Sequence, residues 1–146
     1  MKKFYTLPII TLTLVSFSAM AQTSSAWKEK VDPVVLKKAE AATTVEYVAV
    51  LKQQADVSAA DKLETKEQKG QFVYDALKAA ALHSQGEALT ILSKRAATYQ
   101  SFFVVNMINI TSDVATLQAI AELPSVEKII ENGKFVVSKT FSTPTI

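Results

Sequence analysis

Cysteine is absent, histidine occurs once, and glycine appears only at positions 70, 86 and 133. Each shortage removes some chemistry. Without cysteine there is no disulfide framework and no thiol nucleophile, so an exported chain of this kind must build its core by burial. One histidine and no thiol leave only carboxylates as metal ligands, and these are scattered. A triad on His83 would need a nucleophile and an orienting carboxylate beside it, and no G-x-S-x-G or comparable context occurs. Three isolated glycines cannot form a phosphate-cradling loop. No catalytic, cofactor-binding or metal-binding residue is assigned, and no enzymatic activity is expected.

A surplus of either charge is also missing once the first residues are set apart. The chain opens on Met1-Lys2-Lys3, runs through apolar residues 4–18, and reaches small residues at Ala19 and Ala21. That is the pattern of a secretory signal peptide cut after Ala21. The run is short for a span and contains Pro8, which sets aside the alternative of a retained anchor. No cysteine follows it, so no lipid-anchored form is expected. Removing Lys2 and Lys3 takes 16 basic residues to 14, against 14 acidic ones. Near-neutrality, with no basic stripe interleaved with aromatics, speaks against a nucleic-acid partner. The expected location is periplasmic or secreted, with no stable membrane association after cleavage. Asn109-Ile110-Thr111 matches a glycosylation acceptor, but it falls in an expected strand.

The rest suits one domain of ordinary size. Residues 22–43 read as an N-terminal arm, with Asp32-Pro33 able to start a short helix. Residues 44–52 read as a central strand, apolar on both faces at Val48 and Val50. Thr65 to Gln68 match a capping box. The helix that follows carries Phe72, Val73, Ala76, Leu77 and Ala80 on one stripe, weakens near Gly86, and resumes at Ala88, Leu89, Ile91 and Leu92. It is one long helix kinked near Gly86, or two helices. YQSFFVVNMINI, residues 99–110, is apolar on both faces. It reads as two strands, 98–104 and 106–111, joined near Val105-Asn106, with a single long strand as the alternative. Thr111-Ser112-Asp113 offers N-caps for a helix whose face carries Val114, Leu117, Ile120 and Ala121, and which Leu123-Pro124 ends. Residues 126–131 form a last strand, followed by an Asn132-Gly133 turn signal.

Strand, helix, strand, strand, helix, strand is the split βαβ, ferredoxin-like order, an α+β fold with a four-stranded antiparallel sheet and both helices on one face. The first helix is extended or followed by an extra one. The other sheet face is left open, and an apolar face of this size marks a partner site. Periodicity leaves open which of the two alternating sets, Tyr99-Phe103-Val105-Met107 or Phe102-Val104-Ile108-Ile110, faces the helices.

Four segments together carry a resemblance: EYVAVLKQQADVS from Glu46, TKEQKGQFVYDALKAAA from Thr65, YQSFFVVNMINI from Tyr99 and LQAIAELPSVEKIIEN from Leu117. In this order and spacing they resemble the propeptides of subtilisin-like serine peptidases and the stand-alone inhibitor-nine-type domains related to them. The similarity runs from about Lys30 to Val137. The helical stretch between Leu82 and Ala97 looks like the propeptides of larger bacterial subtilases. The resemblance implies a ferredoxin-like domain whose open sheet face packs on the peptidase, in cis or in trans. The chain after the last strand enters the substrate cleft and inhibits like a product, and the same contacts assist folding of the enzyme.

Carried onto this chain, the peptidase-binding residues are Phe102, Val104, Ile108, Glu131, Asn132, Lys134, Phe135, Val136 and Val137. In the subtilisin propeptide, carboxylates near the end of the last strand cap helices of the enzyme. Here Ile130 and Asn132 stand at those positions, with Glu131 between them, so Asn132 caps, or Glu131 caps if the register differs by one. For Phe135 to Val137 the alternative is a continuation of the sheet. The expected organisation is a signal peptide at 1–21, an arm at 22–43, the inhibitor-like domain at 44–137 and a tail at 138–146. From a different class, a periplasmic interaction or scaffold module without a peptidase target would use the same open face.

Overall fold

The computed structural model describes residues 25–133. Two short helices, α1 (Ala26–Glu29) and α2 (Pro33–Ala41), precede strand β1 (Val45–Leu51). A 3-10 turn at Ser58–Lys62 leads into α3 (Lys66–Lys94), followed by β2 (Thr98–Phe102), β3 (Met107–Ser112), α4 (Val114–Glu122) and β4 (Val126–Glu131). The strands form one antiparallel sheet in the order β2-β3-β1-β4. This is the ferredoxin-like split βαβ arrangement expected from the order of elements.

Local chemistry starts the helices. The Asp32 carboxylate accepts from the Val34 N–H at 2.8 Å, with Pro33 in the first turn. Thr65 and Gln68 make both halves of the capping box. Asp113 accepts from the Thr116 N–H at 2.8 Å, and hydrogen bonding from Thr116 holds its carboxyl below the usual range. Gly86 does not interrupt α3, which continues for 29 residues, about 43 Å. Ala81, Gln85, Ala88 and Leu92 lie on one buried face, so the stripe crosses the glycine without a break. Beyond the end of α3 at Lys94, Ala96 takes a left-handed φ of 51°, and the Ala97 N–H closes back onto the Leu92 carbonyl at 3.1 Å.

The core lies on one face of the sheet. Tyr47, Ala49 and Leu51 from β1, Ile108 and Ile110 from β3, and Val126 and Ile129 from β4 pack with Ala88 and Leu92 of α3 and Leu117, Ile120 and Ala121 of α4. Residues 26–41, expected as a separate arm, belong to this core as well. Val31, Val35 and Ala39 are buried in it, and Trp27 and Leu36 pack against it. The backbone seals the junction: the Ile129 N–H donates to the Lys30 carbonyl at 2.7 Å, and the Asp32 N–H to the Ile129 carbonyl at 2.8 Å. The spacing of Val31, Val35 and Ala39, four residues apart, is the helical period that marks this burial.

Tyr47 is fully buried, and its hydroxyl shares a hydrogen bond with Ser112 Oγ at 2.9 Å. Burial pushes the phenol up from its ordinary value of 10 to about 12. The folded state therefore holds the proton more tightly than the unfolded chain. The stability this provides is complete below pH 10 and is lost as pH rises through about 12. Tyr47→Phe is expected to cost about 1 kcal/mol at neutral pH and to flatten the alkaline loss over that window. Thermal melts across the alkaline range, compared with the parent, check both.

Candidate functional site

All the helices that pack on the sheet, α2, α3 and α4, share the core face. The opposite face is therefore read from the cross-strand register. One row runs Phe102, Met107, Val50, Lys128; the next runs Gln100, Asn109, Val48, Ile130; the third runs Thr98, Thr111, Glu46. The Asn132 amide joins the third row by donating to Glu46 Oε1 at 2.6 Å, and the Asn109 amide donates to the same oxygen at 3.3 Å. Five apolar side chains, Val48, Val50, Phe102, Met107 and Ile130, thus form a contiguous patch with a polar rim. Val48, between Asn109 and Ile130, is buried, and Ile130 is 37% exposed. Asn109 Oδ1 is buried without a hydrogen-bond partner. It leaves an acceptor on this face that costs about 1–3 kcal/mol while unsatisfied.

The structure brings together two of the expected site residues and separates the others. Phe102 is on the open face, and Asn132 adjoins it through Glu46. Ile108 is not there: it is fully buried in the core. The reason is the hairpin. Strand β2 stops at Phe102 and β3 begins at Met107, so residues 103–106 form the turn and Phe102 lies directly opposite Met107. Cross-strand partners share a face. The alternation therefore changes parity at the turn, and Ile108 and Ile110 fall on the side opposite Phe102. Val104 is on neither face but at the hairpin tip, 67% exposed.

Glu131 is also redirected. It lies opposite Tyr47, and its carboxylate pairs with the Lys38 ammonium of α2, on the helix side of the sheet. The carboxylate on the open face at this end is Glu46 instead. Its place on β1, between buried Val45 and Tyr47, was legible in the strand alternation, but the register that sets it beside Asn132 was not. Lys134, Phe135, Val136 and Val137, the expected tail at 138–146 and the expected signal peptide at 1–21 lie outside the described residues.

A buried polar cluster positions the hairpin. Asn106, 2% exposed, donates from Nδ2 to the Gln53 carbonyl at 2.5 Å and to Ser84 Oγ at 2.6 Å, and accepts from Gln85 Nε2 at 2.7 Å. Gln85 Nε2 also donates to the Phe102 carbonyl at 2.9 Å, and Ser101 Oγ donates to Gln85 Oε1 at 2.5 Å. The Asn106 N–H donates to Gln54 Oε1 at 3.1 Å. Three chain segments, α3, the hairpin and the connection after β1, are thereby tied at one point. At the tip, the Phe103 ring meets Tyr74 of α3 edge-on at 5.6 Å.

Among the described residues, no group of three or more His, Asp or Glu side chains is placed to hold a metal ion. His83 is exposed on α3 and borders a shallow cleft with Lys52, Ser84, Glu87 and Ser125. No helix among the described residues is long and apolar enough to cross a membrane. Comparison with protein-family models, with characterised proteins and with solved structures finds no match.

Proposed function

We propose that this chain is a secreted domain that binds and inhibits a subtilisin-like serine peptidase, and that assists the folding of that enzyme. It lays the open sheet face on the enzyme and places the chain after β4 in the substrate cleft. The observation that carries the reading is the open face itself: a ferredoxin-like sheet whose packed helices lie on one side and whose other side presents Val50, Phe102, Met107 and Ile130 around buried Val48. The sequence resemblance described above supplies the identity of the partner.

The mechanism follows from general recognition chemistry. An extended segment adds main-chain hydrogen bonds to a strand lining a cleft, while alternate side chains fill pockets. The apolar sheet face supplies affinity by burial, at roughly 25 cal/mol per Å² removed from water before the cost of association is set against it.

The test is a titration of residues 22–146 against a panel of subtilisin-like peptidases. Truncation after Gly133 is expected to weaken inhibition, and Val50→Asp is expected to weaken binding by one to two orders of magnitude, roughly 1.4 kcal/mol for each tenfold step. Circular dichroism must show that both variants remain folded. Inhibition unaltered by the truncation would refute the cleft-filling role of the tail. Binding indifferent to Val50→Asp would remove the sheet face from the contact.

A further inference from the structure

The two edges of the sheet are finished differently. The outer edge of β4 is closed by residues 30–32, which take both backbone groups of Ile129. That strand also carries Glu127, Lys128 and Glu131. Strand β2, at the other edge, reads Thr-Tyr-Gln-Ser-Phe, with no charge, no proline and an unbroken register against β3. Natural edge strands are ordinarily blunted by charges, prolines, bulges or a covering segment, because their free backbone groups template pairing with another chain.

Which groups are free follows from the ladder. The Leu51 N–H donates to the Asn106 carbonyl at 3.0 Å. Hydrogen-bonded and non-hydrogen-bonded pairs alternate along an antiparallel ladder. In the observed register, Ile108 and Ile110 therefore direct their backbone groups to β1, while Met107, Asn109 and Thr111 direct theirs to β2. Their partners Phe102, Gln100 and Thr98 point inward. The N–H and C=O groups of Tyr99 and Ser101 point away from the sheet. No turn or loop backbone bond among the described residues reaches them.

From this edge we infer that β2 pairs with β2 of a second copy about a two-fold axis through Gln100, joining two four-stranded sheets into one. The strand is self-complementary in that register. Tyr99 lies opposite the partner's Ser101, and Ser101 opposite the partner's Tyr99, so each pair exchanges both of its outward bonds. Gln100 meets its own copy across the axis, with no like charges brought together. The helix side fits the same operation. Ser93 of α3 shares a hydrogen bond with the Tyr99 hydroxyl at 3.2 Å, which sets one line of α3 beside this edge. Along that line, at helical spacing, stand Gly86 and Leu82, the latter 72% exposed. A neighbouring α3 would cover Leu82, and Gly86 has open space where a side chain would be. The pairing leaves the open sheet faces of both copies free and is independent of the peptidase reading.

Sedimentation velocity on residues 22–146 over a range of concentrations tests this. The parent chain is expected to be a reversible dimer. Gln100→Lys and Gln100→Glu, each placing like charges on the axis at an exposed position, are each expected to sediment as folded monomers. An equimolar mixture of the two is expected to recover the dimer, because opposite charges then meet across the axis. A parent chain that is monomeric at every concentration overturns the inference, including one whose edge pairs only with a foreign extended peptide. A dimer that tolerates Gln100→Lys, or a charge mixture that fails to reassociate, overturns it equally, because association would then use another surface.

Discussion

Ile108→Asp is expected to unfold the domain. Ile108 is fully buried, flanked by Ala49 on β1 and Ser101 on β2 in the register of the sheet, and it faces the helices. The substitution removes a complete aliphatic side chain from the core and leaves a carboxylate among apolar neighbours. The combined cost is expected to exceed about 4 kcal/mol, since cavity and buried-charge penalties add. A domain of this size has about 5–15 kcal/mol in all. Urea denaturation followed by circular dichroism should find the variant unfolded or with a midpoint far below the parent. Val50→Asp is the matched control, on the same sheet but on the open face, where water reaches the new charge. A folded Ile108→Asp protein that had lost only partner binding would reverse the assignment of the two faces.

Asn106→Leu is the second large effect. The leucine is near the asparagine in size but cannot donate. It leaves the Gln53 carbonyl without the 2.5 Å bond, and it removes partners from Ser84 Oγ and Gln85 Nε2. Each buried group left unpaired costs about 1–3 kcal/mol, so a total of about 2–4 kcal/mol is expected once relaxation is allowed for. A double-mutant cycle with Gln85→Leu separates network from independent bonds. The two substitutions together are expected to cost less than the sum of the singles, because the first already strands the partner of the second. Strict additivity in the urea midpoints would show that Gln85 and Asn106 do not act as a unit. Because these bonds link α3 to both ends of the hairpin, the loss should also speed hydrogen exchange in β2.

The periodic and capped parts of this fold were legible in the sequence. Asp32, Thr65, Gln68 and Asp113 each stand at a helix start, because a cap is a contact within three residues and needs no tertiary partner. The strand at 45–51 announced itself by β-branched and aromatic density, and the order of elements led to the ferredoxin-like topology. Less legible was the turn at 103–106. Phe103, Val104 and Val105 are poor turn residues by composition, so the first strand looked longer than it is, the second was set one residue early, and their parity was carried across the hairpin. Ile108 was misplaced for that reason. Val31, Val35 and Ala39 had the spacing of a buried helix face, yet the polar residues around them read as an arm. Asn106 looked like a turn former. That it is buried depends on Gln53, Ser84 and Gln85, which only the folded chain brings together.

What the sequence determined by itself was therefore local and periodic: where helices begin, which stretches are strands, and that one apolar set of sheet residues would be left over. Tertiary structure decided which set that was. It also sent Glu131 to Lys38 and not to the open face, set Glu46 beside Asn132, and, among the described residues, left β2 as the uncovered edge while residues 30–32 closed the other. The physical reason is the range of the interactions. Caps and stripes act within a turn or two of chain, whereas register, facing and edge protection depend on pairing between residues tens of positions apart.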